Sequence, residues 1–183
     1  KVFIGKNSEE RKYVYGFRQR TGDAVENMRS ITDGRYKLIW NRTTDRPWMQ
    51  LTSYKKLQYP AFALYHYLHE KGELKAPYNK FMAATKPEIE LFDLQKDPAE
   101  YNNLADDKKH QEIKNRLFGV LNERLKDFEK NWKGESEDAQ KRGIEGSKKY
   151  YKSATKKRRP ELSENHTDEE LLEYWNNLLL NKK

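Results

Sequence analysis

The stretch MRSITDGRYKLIW, residues 28–40, decides the fold. Within it, two runs rich in β-branched and aromatic residues, 28–32 and 35–40, flank the pair Asp33-Gly34. An Asp-Gly pair between two such runs is a strong signal for a β-hairpin, because both central positions of the favoured tight turn need a positive φ. We therefore predict two antiparallel strands here, with positive φ at both turn residues.

Segments on either side of this hairpin extend the prediction to a small sheet covered by a helix. The runs 12–18 and 89–94 have strand composition. Over about Lys108–Trp132, apolar residues recur every three or four positions, which is the period of one helix face. They are Ile113, Leu117, Leu121, Leu125, Phe128 and Trp132. The expected fold class is α+β: a small antiparallel sheet packed by a long amphipathic helix, then a basic linker and a terminal helix.

The turn that follows residues 89–94 is built on Asp97-Pro98. We expect the side chain of Asn102 or Asn103 to satisfy free backbone groups there. Leu104 then returns the chain to the core.

Residues 42–87 are irregular and rich in aromatic side chains. A short helix is predicted near Ala61–Lys71, and His66 and His69 lie three apart on it. As a zinc pair they are weak, because no third or fourth ligand lies nearby in the sequence. The tyrosines have two interpretations: they pack in the core and at its rim, or they form an aromatic surface that faces a sugar.

The C-terminal part carries the net charge of +8. Residues 141–160 hold nine Lys or Arg and one Glu, so the rest of the chain is close to neutral. A solvated, flexible basic linker over 133–166 is one interpretation, and a tether for a polyanion or nucleic acid, with Tyr150 and Tyr151 among the lysines, is the other. Beyond it, Thr167 and Glu170 form a capping box that predicts an amphipathic helix over 167–183.

Composition narrows the classes of function. The 183 residues include no cysteine and four histidines, which excludes disulfides, thiolate metal sites and a cysteine nucleophile in this chain. No nucleophile elbow or glycine-rich phosphate loop is present. No apolar run approaches 18 residues and the chain begins with no signal-peptide pattern, so we expect neither a membrane span nor a leader in it. A binding module or a part of an enzyme is favoured over a complete enzyme.

Two blocks in order, 16–41 and 89–107, resemble the C-terminal subdomain of the formylglycine-dependent sulfatases. They are closest to heparan N-sulfatase (sulfamidase) and the bacterial heparan or glycosaminoglycan sulfatase group. The resemblance covers about residues 1–132. The first block matches at Met28, Arg29, Ser30, Asp33, Gly34, Arg35, Tyr36, Lys37 and Ile39. The second matches at Glu90, Leu91, Phe92, Asp93, Leu94, Asp97, Pro98, Glu100, Asn103 and Leu104.

This resemblance implies a function for a longer protein. The formylglycine nucleophile, made from a Cys/Ser-x-Pro-x-Arg motif, and the calcium ion would lie in an N-terminal catalytic domain that this chain does not contain. The chain itself is expected to hold no catalytic residue, cofactor or metal, and to lack sulfatase activity alone. Its expected partners are that catalytic domain and a sulfated saccharide, with no membrane and no nucleic acid. The resemblance also implies an extracytoplasmic location, whether periplasmic, secreted or lysosomal.

Within the family pattern, Arg18 and Arg20 match an Arg-Asp-Arg sequence near the pocket, with Gln19 in place of the acid. Guanidinium groups form forked hydrogen bonds with sulfate or carboxylate, so both are candidates for the substrate rim. Salt bridges to the catalytic domain are the competing interpretation.

The predicted domains follow from these assignments. Residues 1–24 form the connection from the catalytic domain, 25–132 the sulfatase C-terminal subdomain, 133–166 the basic linker and 167–183 the terminal helix. A basic module that binds a polyanion or nucleic acid is the alternative function.

Overall fold

The computed structural model describes residues 11–180. Residues 1–10 of the predicted connection and residues 181–183 of the predicted terminal helix lie outside the described residues. The strands are β1 (Val14–Thr21), β2 (Ala24–Thr32), β3 (Tyr36–Asn41) and β4 (Ile89–Asp93). The α-helices are α1 (Ser53–Gln58), α2 (Pro60–Glu70), α3 (Gln111–Asn131), α4 (Glu137–Arg158) and α5 (Asp168–Leu180). Short 3₁₀ turns cover Tyr78–Met82 and Lys108–His110.

The four strands form one sheet in the order β1-β2-β3-β4. Strands β2, β3 and β4 are antiparallel neighbours, and the register pairs Ile31 with Leu38 and Leu38 with Leu91. These three side chains are fully buried, so one register places the apolar residues of three strands on the same face. The predicted α+β fold is confirmed.

The hairpin turn differs from the prediction in one respect. Gly34 has a φ of +94°, but Asp33 does not have a positive φ. Instead, the Asp33 carboxylate accepts hydrogen bonds from the backbone amides of Arg35 at 3.1 Å and Tyr36 at 2.7 Å. Asp33 therefore shapes the turn through its side chain, which is a common role of aspartate in turns.

Residues 11–18, 27–43 and 87–134 belong to one compact unit. In its core, the sheet residues pack against Leu117, Leu121 and Leu125, which confirms the apolar stripe of α3. Phe128 continues the stripe, and its ring stacks on Phe17 with centroids 4.6 Å apart. The stripe ends at Trp132, the C-terminal cap of the helix, which is exposed.

Residues 19–26, 44–86 and 135–180 belong to a second compact unit. Its core contains Ala63 of α2 with Leu171, Leu172 and Trp175 of α5. The predicted capping box is confirmed, since Thr167 N–H donates to Glu170 at 2.7 Å and Glu170 N–H donates to the Thr167 hydroxyl at 3.2 Å. The terminal helix thus docks through Leu171, Leu172 and Trp175, while Leu178, Leu179 and Leu180 at its end stay exposed.

The basic segment also differs from the expected flexible linker, because residues 137–158 form helix α4. Ser136 caps it by accepting from Ala139 N–H at 3.3 Å. Acidic residues occupy its first turn and basic residues its last turn, which suits the helix dipole at both ends. Its buried residues are Ala154 and Thr155, so this helix packs through small side chains. The domain boundaries at 133 and 166 stay predictions.

The turn geometry predicts opposite effects for two glycine-to-alanine changes. Gly34→Ala is expected to lower the free energy of unfolding by about 1 kcal/mol, because a Cβ is disfavoured at positive φ. The control is Gly119→Ala in α3, where a Cβ meets no described atom within 4 Å and alanine is the better helix former, so stability should rise by up to ~1 kcal/mol. Urea denaturation of both variants provides the check; a destabilised Gly119→Ala or an unaffected Gly34→Ala contradicts this description.

Candidate functional site

The two sequence blocks that carry the sulfatase resemblance, 16–41 and 89–107, contact each other in the structure. Arg35, from the hairpin, contacts Asp93 at the end of β4 through two hydrogen bonds of 3.4 and 3.0 Å. Lys37 contacts both carboxylate oxygens of Glu100 at 2.8 Å. The Arg35 guanidinium holds the pKa of Asp93 below its usual range. Four charged residues of the pattern are therefore explained by ion pairs that join the blocks.

Asn103 holds the turn after β4, as the sequence predicted. Its side-chain oxygen accepts from the backbone amides of Leu91 at 2.9 Å and Ala105 at 3.0 Å, and its amide donates to the Ile89 carbonyl at 3.2 Å. Leu104 packs against the core and Ala105 is buried. These matched residues serve the fold of the turn rather than a chemical reaction.

Arg20, one of the two predicted rim residues, forms a forked ion pair with Glu135. Its Nε and Nη2 each donate to a carboxylate oxygen of Glu135 at 2.7 Å, and Nη1 donates to the Gly22 carbonyl at 2.6 Å. A Cβ at Gly143 would lie 2.6 Å from this guanidinium, so a larger side chain there would displace Arg20 from its present position. The fork lowers the pKa of Glu135 and raises that of Arg20. Three of the five N–H donors of Arg20 thus have partners within the chain.

Arg18, the other predicted rim residue, is half-buried on β1. Burial lowers its pKa from the ordinary value for arginine. Its carbonyl accepts from Nη1 of the buried Arg29 at 3.2 Å. A role of Arg18 or Arg20 in contacting substrate stays a prediction.

A groove of about 710 Å³ lies in the second unit and forms the candidate functional site. Residues from α1, α2 and α4 and from the turn at Gly22 line it. They are Thr21, Gly22, Thr52, Ser53, Tyr54, Lys55, Tyr59, Phe62, Gly143, Gly146, Ser147 and Tyr150. We call this the aromatic groove. Its volume falls in the range of about 300–1,000 Å³ that is usual for small-molecule sites.

Hydrogen bonds fix the backbone at one end of the aromatic groove. Asp23 accepts from the Ser53 hydroxyl at 2.6 Å and from the Ser53 backbone amide at 2.9 Å. Thr52 caps α1 by accepting from Lys55 N–H. Tyr54 therefore lies in the first turn of a helix whose N-terminus is fixed by side-chain hydrogen bonds.

The exposed fractions of the groove tyrosines show which of them are packed in the core and which form a surface that a ligand can reach. Tyr54, Tyr59 and Tyr150 are each about half exposed, at 53%, 48% and 50%. In contrast, Tyr67 packs against the core of the second unit. Packing therefore explains some tyrosines of this region, while the groove tyrosines present their rings to solvent. The sequence left this choice open, because exposure depends on the docking of α4.

The remaining sequence candidates show no catalytic or metal arrangement. His66 Nε2 donates to the Met49 carbonyl at 2.8 Å, and burial lowers the pKa of this histidine. Over residues 11–180, no group of three His, Cys, Asp or Glu side chains is placed to hold a metal ion. In that same range, none of the helices has the length and apolar character needed to cross a membrane.

The forked ion pair between Arg20 and Glu135 predicts that the stability of the fold depends on pH. Replacing Glu135 with Gln is expected to lower the melting temperature at neutral pH by a few degrees, because the Arg20 guanidinium loses its charged partner. The folded protein lowers the pKa of Glu135, so this stabilisation is complete above the ordinary pKa of a glutamate and is lost as the pH falls through the lowered pKa. The difference between wild type and variant should therefore shrink in acid.

Glu145→Gln is the matched control for this measurement. Glu145 is exposed on α4 and has no ion pair in the described part of the chain. Its replacement should leave the melting temperature nearly unchanged at neutral pH. If Glu135→Gln lowers the melting temperature equally at neutral and acidic pH, the ion pair with Arg20 is not the cause of the destabilisation.

Comparison with known proteins gives one relationship of functional interest. No protein-family model matches the chain. The chain is similar to an ulvan-active sulfatase from Formosa agariphila, with 28% identity over 111 residues. The alignment covers 60% of this chain but 18% of that sulfatase, so the chain spans a small part of the length of its relative. The similarity supports a relationship with part of a sulfatase and does not distinguish the heparan N-sulfatase group.

Proposed function

We propose that this chain is the C-terminal part of a sulfatase that acts on a sulfated saccharide. The observation that carries the proposal is the similarity to the ulvan-active sulfatase, which agrees with the resemblance of the two sequence blocks. The ion pairs between those blocks support it, since they explain why these residue types occur together. In the whole enzyme, the chain would stabilise the catalytic domain and complete the rim of its pocket.

The reactive groups are assigned to a catalytic domain outside this chain. The sequence has no Cys/Ser-x-Pro-x-Arg motif, and residues 11–180 offer no metal-binding cluster. We propose that formylglycine and calcium belong to that catalytic domain, and that this chain supplies none of the reacting groups. A heparan-type glycosaminoglycan is the finer proposal for the substrate, and an extracytoplasmic compartment is the proposal for the location.

A second candidate function is supported by α4. Its lysines and arginines from 148 to 158 are all exposed, which is the feature expected of a surface that binds a polyanion. In this alternative, the chain is a basic binding module for nucleic acid or another polyanion, and its affinity would fall steeply with salt.

The reading frame upstream of Lys1 and its full product provide the test. We expect a Cys/Ser-x-Pro-x-Arg motif in that frame, and calcium-dependent hydrolysis of an aryl sulfate by the purified full-length protein. The 183-residue chain alone should release no sulfate, with or without calcium. A full-length product without this motif and without sulfatase activity would overturn the proposal.

Within the full enzyme, the rim proposal is tested at Arg18, because a change at Arg20 would also remove its ion pair with Glu135 and so affect the fold. Arg18→Ala should lower kcat/KM for a sulfated oligosaccharide by about 10- to 100-fold, the effect of losing one charge-assisted contact. The same change should leave hydrolysis of a small aryl sulfate nearly unaffected, because a rim residue does not reach it. Equal losses on both substrates would show that Arg18 supports the fold or the domain interface instead.

A further inference from the structure

We propose that the aromatic groove is a binding subsite for a sulfated saccharide, in which rings stack on the apolar faces of the sugars and lysines contact the sulfates. The choice of a saccharide over other polyanions rests on the proposed function. The subsite itself rests on three observations: the exposed rings, the open space beside Gly146, and the exposed lysines of α4.

The rings form a contiguous exposed surface rather than scattered side chains. The ring centroids of Tyr54 and Tyr59 lie 5.7 Å apart, and those of Tyr59 and Phe62 lie 6.1 Å apart. Tyr150 of α4 lines the same groove. Contiguous exposed apolar surface of this kind marks a binding site more often than a defect of packing. A tyrosine offers an apolar ring face and a polar tip, which suits a sugar with its alternating C–H and O–H groups.

Glycines provide the space into which a ligand fits. Gly143 and Gly146 lie on the face of α4 that lines the groove, one turn apart. At Gly143 the space is occupied by the guanidinium of Arg20. A Cβ at Gly146 would meet no atom of the described residues within 4 Å. Gly146 therefore leaves open space at the wall of the groove, which a larger side chain would fill.

The charge along α4 matches a polyanionic ligand. Lys148, Lys149 and Lys157 are exposed, and no carboxylate among residues 11–180 pairs with them. They lie outside the lining of the groove, so they would contact the parts of a long polyanion that extend beyond it. Glu145 is the one acidic residue between 141 and 160. Lys55, which lines the groove, places its ammonium 4.1 Å from the ring centroid of Phe62. The same ammonium donates to the Gln50 carbonyl at 3.2 Å, so a positive charge is held beside an aromatic ring at the groove wall.

The experiment uses the 183-residue chain and three probes: dextran sulfate, unsulfated dextran of the same length, and an oligo-dT strand. Binding is measured by calorimetry at two salt concentrations. We expect dextran sulfate to bind best, unsulfated dextran to bind more weakly, and oligo-dT to bind with an affinity that is insensitive to the groove variants.

Gly146→Leu is the decisive variant, because leucine fills the groove and is a good helix former, so it should not weaken the fold. It should weaken dextran sulfate binding by about tenfold, similar to the removal of one stacked ring by Tyr54→Ala. Gly119→Leu, an equivalent change at an exposed position of α3, is the control and should leave the affinity unchanged. Melting temperatures of all variants verify that they fold.

Each other outcome overturns the subsite. Wild-type affinity of Gly146→Leu would mean that sulfate binds to the basic residues without the groove. Stronger binding of oligo-dT than of dextran sulfate, with dependence on Tyr54 and Gly146, would make the groove a nucleic-acid site. Neither result affects the upstream motif or the aryl sulfatase activity of the full-length protein, so failure of the subsite and failure of the proposed function are separable.

Discussion

The forked ion pair between Arg20 and Glu135 is the interaction on which the candidate site depends. It fixes the position of Glu135, which lies just before the start of α4. Gly143 of that helix lies close to the same guanidinium. Gly146, Ser147 and Tyr150 follow on that helix face and line the aromatic groove. A residue that the sequence pattern offers as a substrate contact thus has a structural role that helps to place a wall of the groove.

The parts of the fold that sequence predicts well are those with a strong local signal. The period of apolar residues in α3 and the reciprocal bonds of Thr167 and Glu170 follow from neighbouring positions, and both are confirmed. The Asp-Gly turn was identified for the same reason. Its backbone angles were not, because the Asp33 carboxylate replaces the expected conformation with side-chain hydrogen bonds.

The sequence did not predict helix α4, because the residues that this helix buries are small. Amphipathic helices are recognised by large apolar side chains at regular spacing, and this one buries Ala154 and Thr155 and places glycines at its groove face. Nine basic residues dominate the segment and indicate a solvated linker. What the residue pattern does contain is Ser136 as a cap, acidic residues after it and basic residues at the end, which together favour a helix.

For the candidate site, the sequence predicted which types of side chain are involved but not their partners or their exposure. The pairing of Arg20 with Glu135 joins positions 115 residues apart, and no local pattern indicates it. Whether Tyr54 and Tyr150 are packed or exposed is likewise decided by tertiary structure. Sequence reasoning therefore named arginines and tyrosines as the relevant side chains; the structure pairs Arg20 with Glu135 and places Tyr54 and Tyr150 in the groove, and the role of Arg18 stays a prediction.

Residues 137–158 form a folded helix, and one face of it is a wall of the aromatic groove. Hydrogen exchange of the backbone amides of residues 143–155, with α3 as the internal reference, tests whether this helix forms in solution. We expect exchange at least about a hundredfold slower than in an unstructured chain, because these amides are bonded within α4. Exchange at the unstructured rate, while α3 stays protected, would contradict the claim and leave the groove without its wall.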